Sequence, residues 1–267
     1  MRAAVTPAKA RVHRFWIPTF AGMTMLGILV ATAGLAIAGS GNRFVFGQLK
    51  YDGAWDPYPG VNERVFDTLR SMTNIPYDPE RRVVSLSDAV LFETPFLLVK
   101  GNAALHFTKE EKTRLRRYID RGGFVFFDDT LADARGPFAE SVRALMAELY
   151  PDRPFHKLPP DHAVFRSFFL LRSAAGRRLT DKSLEGLDLG GDGGAQARTA
   201  AVYCANDLMG AWMRDNLGQY TFTCEPGGEG QRWESFKLTV NIIYLSLTGT
   251  YKKDAIHQPF IEMKLGS

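Results

Sequence analysis

An acidic pair closes the apolar stretch GGFVFFDDT at residues 122–130, where Phe124–Phe127 lead directly into Asp128 and Asp129. Carboxylates at a buried strand end suit acid–base chemistry if burial pushes neighbouring pKa values apart. Asp128 or Asp129 would then be the base. His162, in PPDHAVF, is the best-placed acid among the five histidines, with a hydrogen-bonded loop histidine as the alternative. With Trp55 or Trp212 as a stacking platform, such a set would make a carbohydrate-acting hydrolase or isomerase. The same carboxylates could instead hold a polar ligand without chemistry, or cap loops by accepting backbone N–H groups. Adjacent residues on an extended backbone face opposite ways, so the pair cannot chelate one ion unless a turn begins between them. A carboxylate-only site would favour magnesium or calcium. No third ligand stands out, so neither a metal nor a cofactor is expected.

Other predicted strands also end on polar residues. One runs into Lys100-Gly101-Asn102 and another into Asn206-Asp207, and the first is followed by Asp52 and Trp55. In an open α/β sheet the carboxyl ends of parallel strands line the ligand crevice. Asp52, Trp55, Asn102, Asp128, Asp129, His162, Asn206 and Asp207 are therefore expected to converge, with Trp212 as a rim or core aromatic. The expected occupant is a polar small molecule, a sugar or a peptide. No G-x-S-x-G elbow occurs, which removes a serine nucleophile of that type. GGDGG lacks the lysine and hydroxyl residue of a phosphate loop and reads as linker. Cys204 and Cys224 permit a disulfide in an oxidising compartment or two separately buried thiols.

The elements that would position these groups alternate. RFVFGQLK (43–50) alternates apolar and polar residues as a first strand. Val61, Val65, Leu69 and Met72 recur at helical spacing, and PFLLVKG (95–101) is a central parallel strand. Thr108 and Glu111 form a capping box before a helix with Leu115, Tyr118 and Ile119 inward and Gly122 as its stop. After FVFF, Pro137 opens a helix to Leu149 with Phe138, Val142, Leu145, Met146 and Leu149 on its inner stripe. LEGLDLGGDGGAQARTA reads as a Gly-rich surface connection, and TAAVYCAND as a further strand. ESFKLTVNIIYLSLTG closes the domain as a helix burying Phe236, Val240, Ile243, Tyr244 and Leu247, with Gly249 as its stop. Repeated strand–helix order implies a doubly wound α/β fold with a mostly parallel sheet over 43–253 and a tail at 254–267.

Of the 33 Lys and Arg, Arg2, Lys9, Arg11 and Arg14 lie in residues 1–38, which hold no acid, and the remainder balance the 29 Asp and Glu. The pI near 9.0 therefore belongs to the leader, and no nucleic-acid surface is expected. Residues 1–42 read as a signal peptide, with MLGILVATAGLAIA as its apolar core and Ala36-Ile37-Ala38 as the cleavage pattern. The alternative is an uncleaved N-terminal membrane anchor, with membrane contact only through residues 15–42. The expected location is periplasmic or exported, or inner-membrane anchored with a periplasmic domain.

LLVKGNAALHFTKEEKTRLRRYIDRGGFVFFDD, DHAVFRSFF, AVYCANDLMGAW and LTVNIIYLSLTGTYK together resemble the bacterial family catalogued as domain of unknown function 4159. That family resembles the class I glutamine amidotransferase-like fold, which implies a flavodoxin-like three-layer α/β/α sheet, and more closely its ThuA-like branch. The resemblance implies an envelope protein with a possible envelope protein partner, but no activity. Amidotransferases carry a cysteine at a strand-to-helix elbow; the corresponding stretch, LLVKGNAALHF, has none, which disfavours glutaminase chemistry. Gly122, Gly123, Asp128, Asp129, His162, Asn206, Asp207, Trp212 and Asn241 match the family's own pattern. The resemblance favours a non-catalytic binding or scaffolding domain, ahead of the carbohydrate enzyme and a purely structural module.

Overall fold

The computed structural model describes residues 43–190 and 197–248. The leader at 1–42, most of GGDGG, the Gly249 stop and the tail at 254–267 lie outside the described residues. Seven strands among the described residues form one sheet in the order β2-β1-β3-β4-β7-β6-β5. They are β1 (Phe46–Leu49), β2 (Arg82–Val84), β3 (Phe96–Gly101), β4 (Phe124–Asp129), β5 (His156–Lys157), β6 (Glu185–Leu189) and β7 (Arg198–Cys204). β2, β1, β3, β4 and β7 run parallel, whereas β6 and β5 are antiparallel. The parallel five follow the flavodoxin order, with the reversal of connection between β1 and β3. The layout is thus α/β with a mostly parallel sheet, compatible with a flavodoxin-like arrangement.

Among the described residues four helices cover the sheet: α1 (Val61–Met72), α2 (Lys109–Asp120), α3 (Pro137–Leu149) and α4 (Gly228–Thr248). Phe124 and Phe126 of β4 pack with α1 and α4, while Val125 and Phe127 pack with α2 and α3. Each central strand is buried on both faces, which is why β3 and β4 read as unbroken apolar runs. The α2 start is the expected capping box: Thr108 Oγ1 accepts from Glu111 N at 3.2 Å, and Thr108 N donates to Glu111 Oε2 at 2.8 Å. Gly122 follows the helix at φ 104°, a left-handed value that favours glycine. Pro137 opens α3, and all five residues of its expected stripe are buried.

Three expectations change. The supposed surface connection after Leu184 contains β6, which pairs with β7; Gly186 lies so close to Leu158 that a Cβ would come within 2.8 Å of it. Strand β1 is buried on both faces rather than alternating, Gln48 included. The last helix begins at Gly228 and is buried nearly all round, because the 3-10 turns Ala163–Phe165 and Met209–Trp212 pack on it as well as the sheet side. Leu238, Ile242 and Leu245 join the core, Tyr244 is half-buried, and Leu247 is exposed.

Candidate functional site

Backbone alternation carries Asp128 to the α1/α4 face of β4 and Asp129 to the α2/α3 face, so the two do not share a ligand. Asp128 is fully buried. Its Oδ1 accepts from Leu208 N at 2.8 Å and its Oδ2 from Met209 N at 2.9 Å. Burial, then the charge of Asp207, push its pKa well above the usual carboxylate value, against the pull of these two N–H groups. Asp207 has φ 54°, a value that a non-glycine residue adopts only when its surroundings hold it there. Here they do: Asp207 Oδ2 accepts from Tyr58 OH at 2.9 Å and from Arg177 Nε, and Oδ1 accepts from Gly210 N at 3.0 Å. Burial raises the Asp207 pKa to about 6, opposed by Arg177. A Cβ at Gly210 would overlap the Asp207 carboxylate.

Across the sheet, Asp129 Oδ1 accepts from Leu131 N at 3.0 Å and Oδ2 from Tyr203 OH at 3.0 Å. Burial raises its pKa to about 6. Arg143 lies over the Tyr203 ring and forks onto Glu185 at 2.9 and 2.6 Å. A cavity of about 510 Å³ opens beside this group, lined by Ala132, Asp133, Arg135, Arg143, Thr180 and Asp181 among others.

The reversal point between β1 and β3 is closed by the chain itself. Residues 51–60 fold over the strand ends, with Tyr51 OH donating to Lys100 O at 2.7 Å. Lys100 is fully buried; its Nζ donates to Asp56 Oδ1 at 2.8 Å and Tyr58 O at 3.1 Å. Burial lowers the Lys100 pKa, and Asp56 opposes that. Asp56 Oδ2 also meets Arg81 at 2.8 Å, while hydrogen bonds from Lys100, Arg81 and Gln48 hold its own pKa down despite burial. Asp56, Tyr58, Arg81 and Arg177 were not among the residues the sequence singled out. Lys100 gave the one legible signal, a lysine inside an apolar strand.

The expected cup does not assemble. His162 accepts from Val164 N at 3.1 Å through Nδ1, and its Nε2 meets Thr199 Oγ1 at 3.0 Å. Thr199 is five residues before Cys204, the register partner of Asp128, and five residues of strand span about 16 Å. His162 therefore sits toward the opposite end of the sheet and cannot act as the acid to either aspartate. With Nδ1 accepting, the neutral ring carries its proton on Nε2 and donates to Thr199, whose hydroxyl donates to Asp188 at 2.6 Å. Trp212 is core, its Nε1 donating to Thr239 Oγ1 at 3.0 Å and its ring 4.0 Å from Phe236. Asn206 pins Thr180 and Asp181 by accepting their N–H groups at 2.9 Å. Asp52 and Asn102 are exposed, and Trp55 is half-buried with Arg81 over its ring.

Cys204 and Cys224 are free and buried. Asn241, the last position in the family pattern, accepts from Phe168 N and Phe169 N and donates to Val164 O and Phe169 O, tying the irregular 164–169 segment to α4. Among the described residues no group of three or more His, Cys, Asp or Glu side chains is placed to hold a metal ion. Nor is any described helix long and apolar enough to cross a membrane; the anchor expected within residues 15–42 lies outside the described residues.

The fold and this edge define an α/β domain with a flavodoxin-type parallel core and a self-bonded set of strand-end carboxylates. The chain belongs to the family described as a domain of unknown function (DUF4159), which matches residues 45–247. No curated protein matches it.

Proposed function

We propose that this protein is a non-catalytic ligand-binding domain of the bacterial cell envelope, built on a class I amidotransferase-like, ThuA-like fold. The observation that carries this reading is the division of the sheet's carboxyl edge. Asp56, Asp128, Asp129 and Asp207 are all bonded within the chain, whereas an open volume lies beside the Arg143–Glu185 pair and is lined by charged and hydroxyl side chains. A pocket with a few fixed polar groups and no coupled acid–base pair suits recognition rather than turnover. The lining carries both signs of charge, which fits a polar or zwitterionic small molecule such as a sugar or peptide. The leader pattern in residues 1–42 supports export, and an envelope protein partner fits the same setting.

The test is a thermal-shift and ligand-observed NMR screen of sugars and short peptides. A binder should raise the melting temperature, and Thr180→Val or Arg135→Ala should weaken it. Sugar hydrolysis that Asp129→Asn abolishes would sink the non-catalytic reading. A second reading, a purely structural module, draws on the Asp128 bonds to Leu208 N and Met209 N, the arrangement of a loop cap. A screen with no binder at all would favour it.

A further inference from the structure

The cluster at the β1/β3 reversal has more positive charge than its own carboxylate matches. Lys100 Nζ takes Asp56 Oδ1 at 2.8 Å, and Arg81 takes Asp56 Oδ2 at 2.8 Å, so one carboxylate is shared by two cations. Lys100 is fully buried at the end of a central strand, a place where an ammonium group is tolerated only against a partner charge. Asp128 is its register neighbour on β4, but that carboxylate is turned to Leu208 and Met209. Gln48 Nε2 reaches Asp56 Oδ1 at 3.1 Å, and Gln48 Oε1 accepts from Asn62 Nδ2 at 3.3 Å. Asn62 is fully buried, yet its Oδ1 has no hydrogen-bond partner. It lies in the first turn of α1, which no side chain caps, so the positive end of the helix dipole faces the same cluster.

Asp56 itself is held differently from the groups around it. Gln48 and Lys100 are on strands and Asn62 is on a helix, all fully buried. Asp56 is on an irregular loop in which residues 52–54 are exposed and residues 55–57 half-buried. A rigid cage with a loop-borne carboxylate inside it has the form of a binding site filled from its own chain. In open α/β sheets this reversal point is where ligands bind.

We propose that Lys100 and Arg81 form an anion site whose tethered occupant is Asp56, and that its exchangeable ligand is a small molecule bearing a carboxylate. The ligand enters as residues 55–57 move aside; its two oxygens take the places of Asp56 Oδ1 and Oδ2, and the Asn62 carbonyl oxygen accepts from a donor on the ligand. The site lies on other residues than the cavity beside the Arg143–Glu185 pair, so either can fail without the other.

Trp55 is the local reporter, since it adjoins Asp56 and lies under Arg81 at 5.9 Å. Acetate is the probe, with inorganic phosphate as the comparison, titrated into the full chain and followed by tryptophan fluorescence. In the wild type the signal should change saturably, and Trp55→Phe should remove the change. Asp56→Asn removes the competing carboxylate and should lower the acetate Kd by about tenfold or more, the effect expected of a tethered competitor at millimolar effective concentration. Adding Arg81→Gln to that variant should abolish the gain. Equal Kd values in wild type and Asp56→Asn would overturn the proposal, as would tighter binding of phosphate than of acetate. Should Asp56→Asn not fold, the wild-type titration decides alone: no saturable Trp55 response up to high-millimolar acetate overturns it.

Discussion

Asp128→Asn is the sharpest test of what the acidic strand end does. The carboxylate spans two N–H donors, Leu208 N at 2.8 Å and Met209 N at 2.9 Å. An asparagine offers one oxygen to one of them and turns an NH₂ group toward the other, leaving a buried donor unpaired. That costs about 1–3 kcal/mol. The opposing effect is relief of repulsion from Asp207, which helps to raise the Asp128 pKa. Arg177 and Tyr58 already balance the Asp207 charge, so that relief is the smaller effect. The expected result is a net loss of about 1–3 kcal/mol in urea unfolding at neutral pH. For a domain of this size that is a melting-temperature drop of about 2–12 °C. A variant as stable as the wild type, or more so, would refute the reasoning. It would mean that charge repulsion outweighs the loop contacts, and that Asp128 belongs to a crevice held under tension.

Asp129 and Asp207 set a pH dependence. Both pKa values rise from 3.8 unfolded to about 6 folded, so the folded state binds more protons between those limits. Their contribution to stability is therefore fully present below about pH 4 and is lost as pH rises through 6; Asp129→Asn should flatten that loss in urea titrations. Gly210→Ala should destabilise by about 1–3 kcal/mol through overlap with the Asp207 carboxylate, and a denaturation midpoint at the wild-type value would contradict this. Both thiols should resist a polar thiol reagent in the native protein and titrate as two when it is unfolded without reductant, because Cys204 and Cys224 are free and buried. A count of zero would mean that a disulfide forms.

Much of the scaffold is legible from short-range pattern. The capping box at Thr108 and Glu111, Pro137 at the head of α3 and Gly122 at the end of α2 lie where their local chemistry requires. So does the separation of Asp128 and Asp129 onto opposite faces, since strand side chains alternate whatever the fold. The hidden pieces have long reach. Tyr58 meets Asp207 across 149 residues, and Lys100 meets Asp56 across 44. Strand β6, Glu-Gly-Leu-Asp-Leu, has no β-branched or aromatic residue, and is a strand because β7 offers it an edge. Trp212 enters the core because the turn that carries it packs on α4.

By itself, then, the sequence determined the strand–helix alternation, the helix ends and the polar character of the carboxyl edge. These depend on spacings of two to four residues and on side-chain chemistry at one position. Tertiary structure alone decided which polar groups meet. Sheet order and register sent His162 to the far end of β7, and the path of residues 51–60 put Asp56 against Lys100 and Arg81. Such pairings follow from how distant segments cross in space, which no local period encodes.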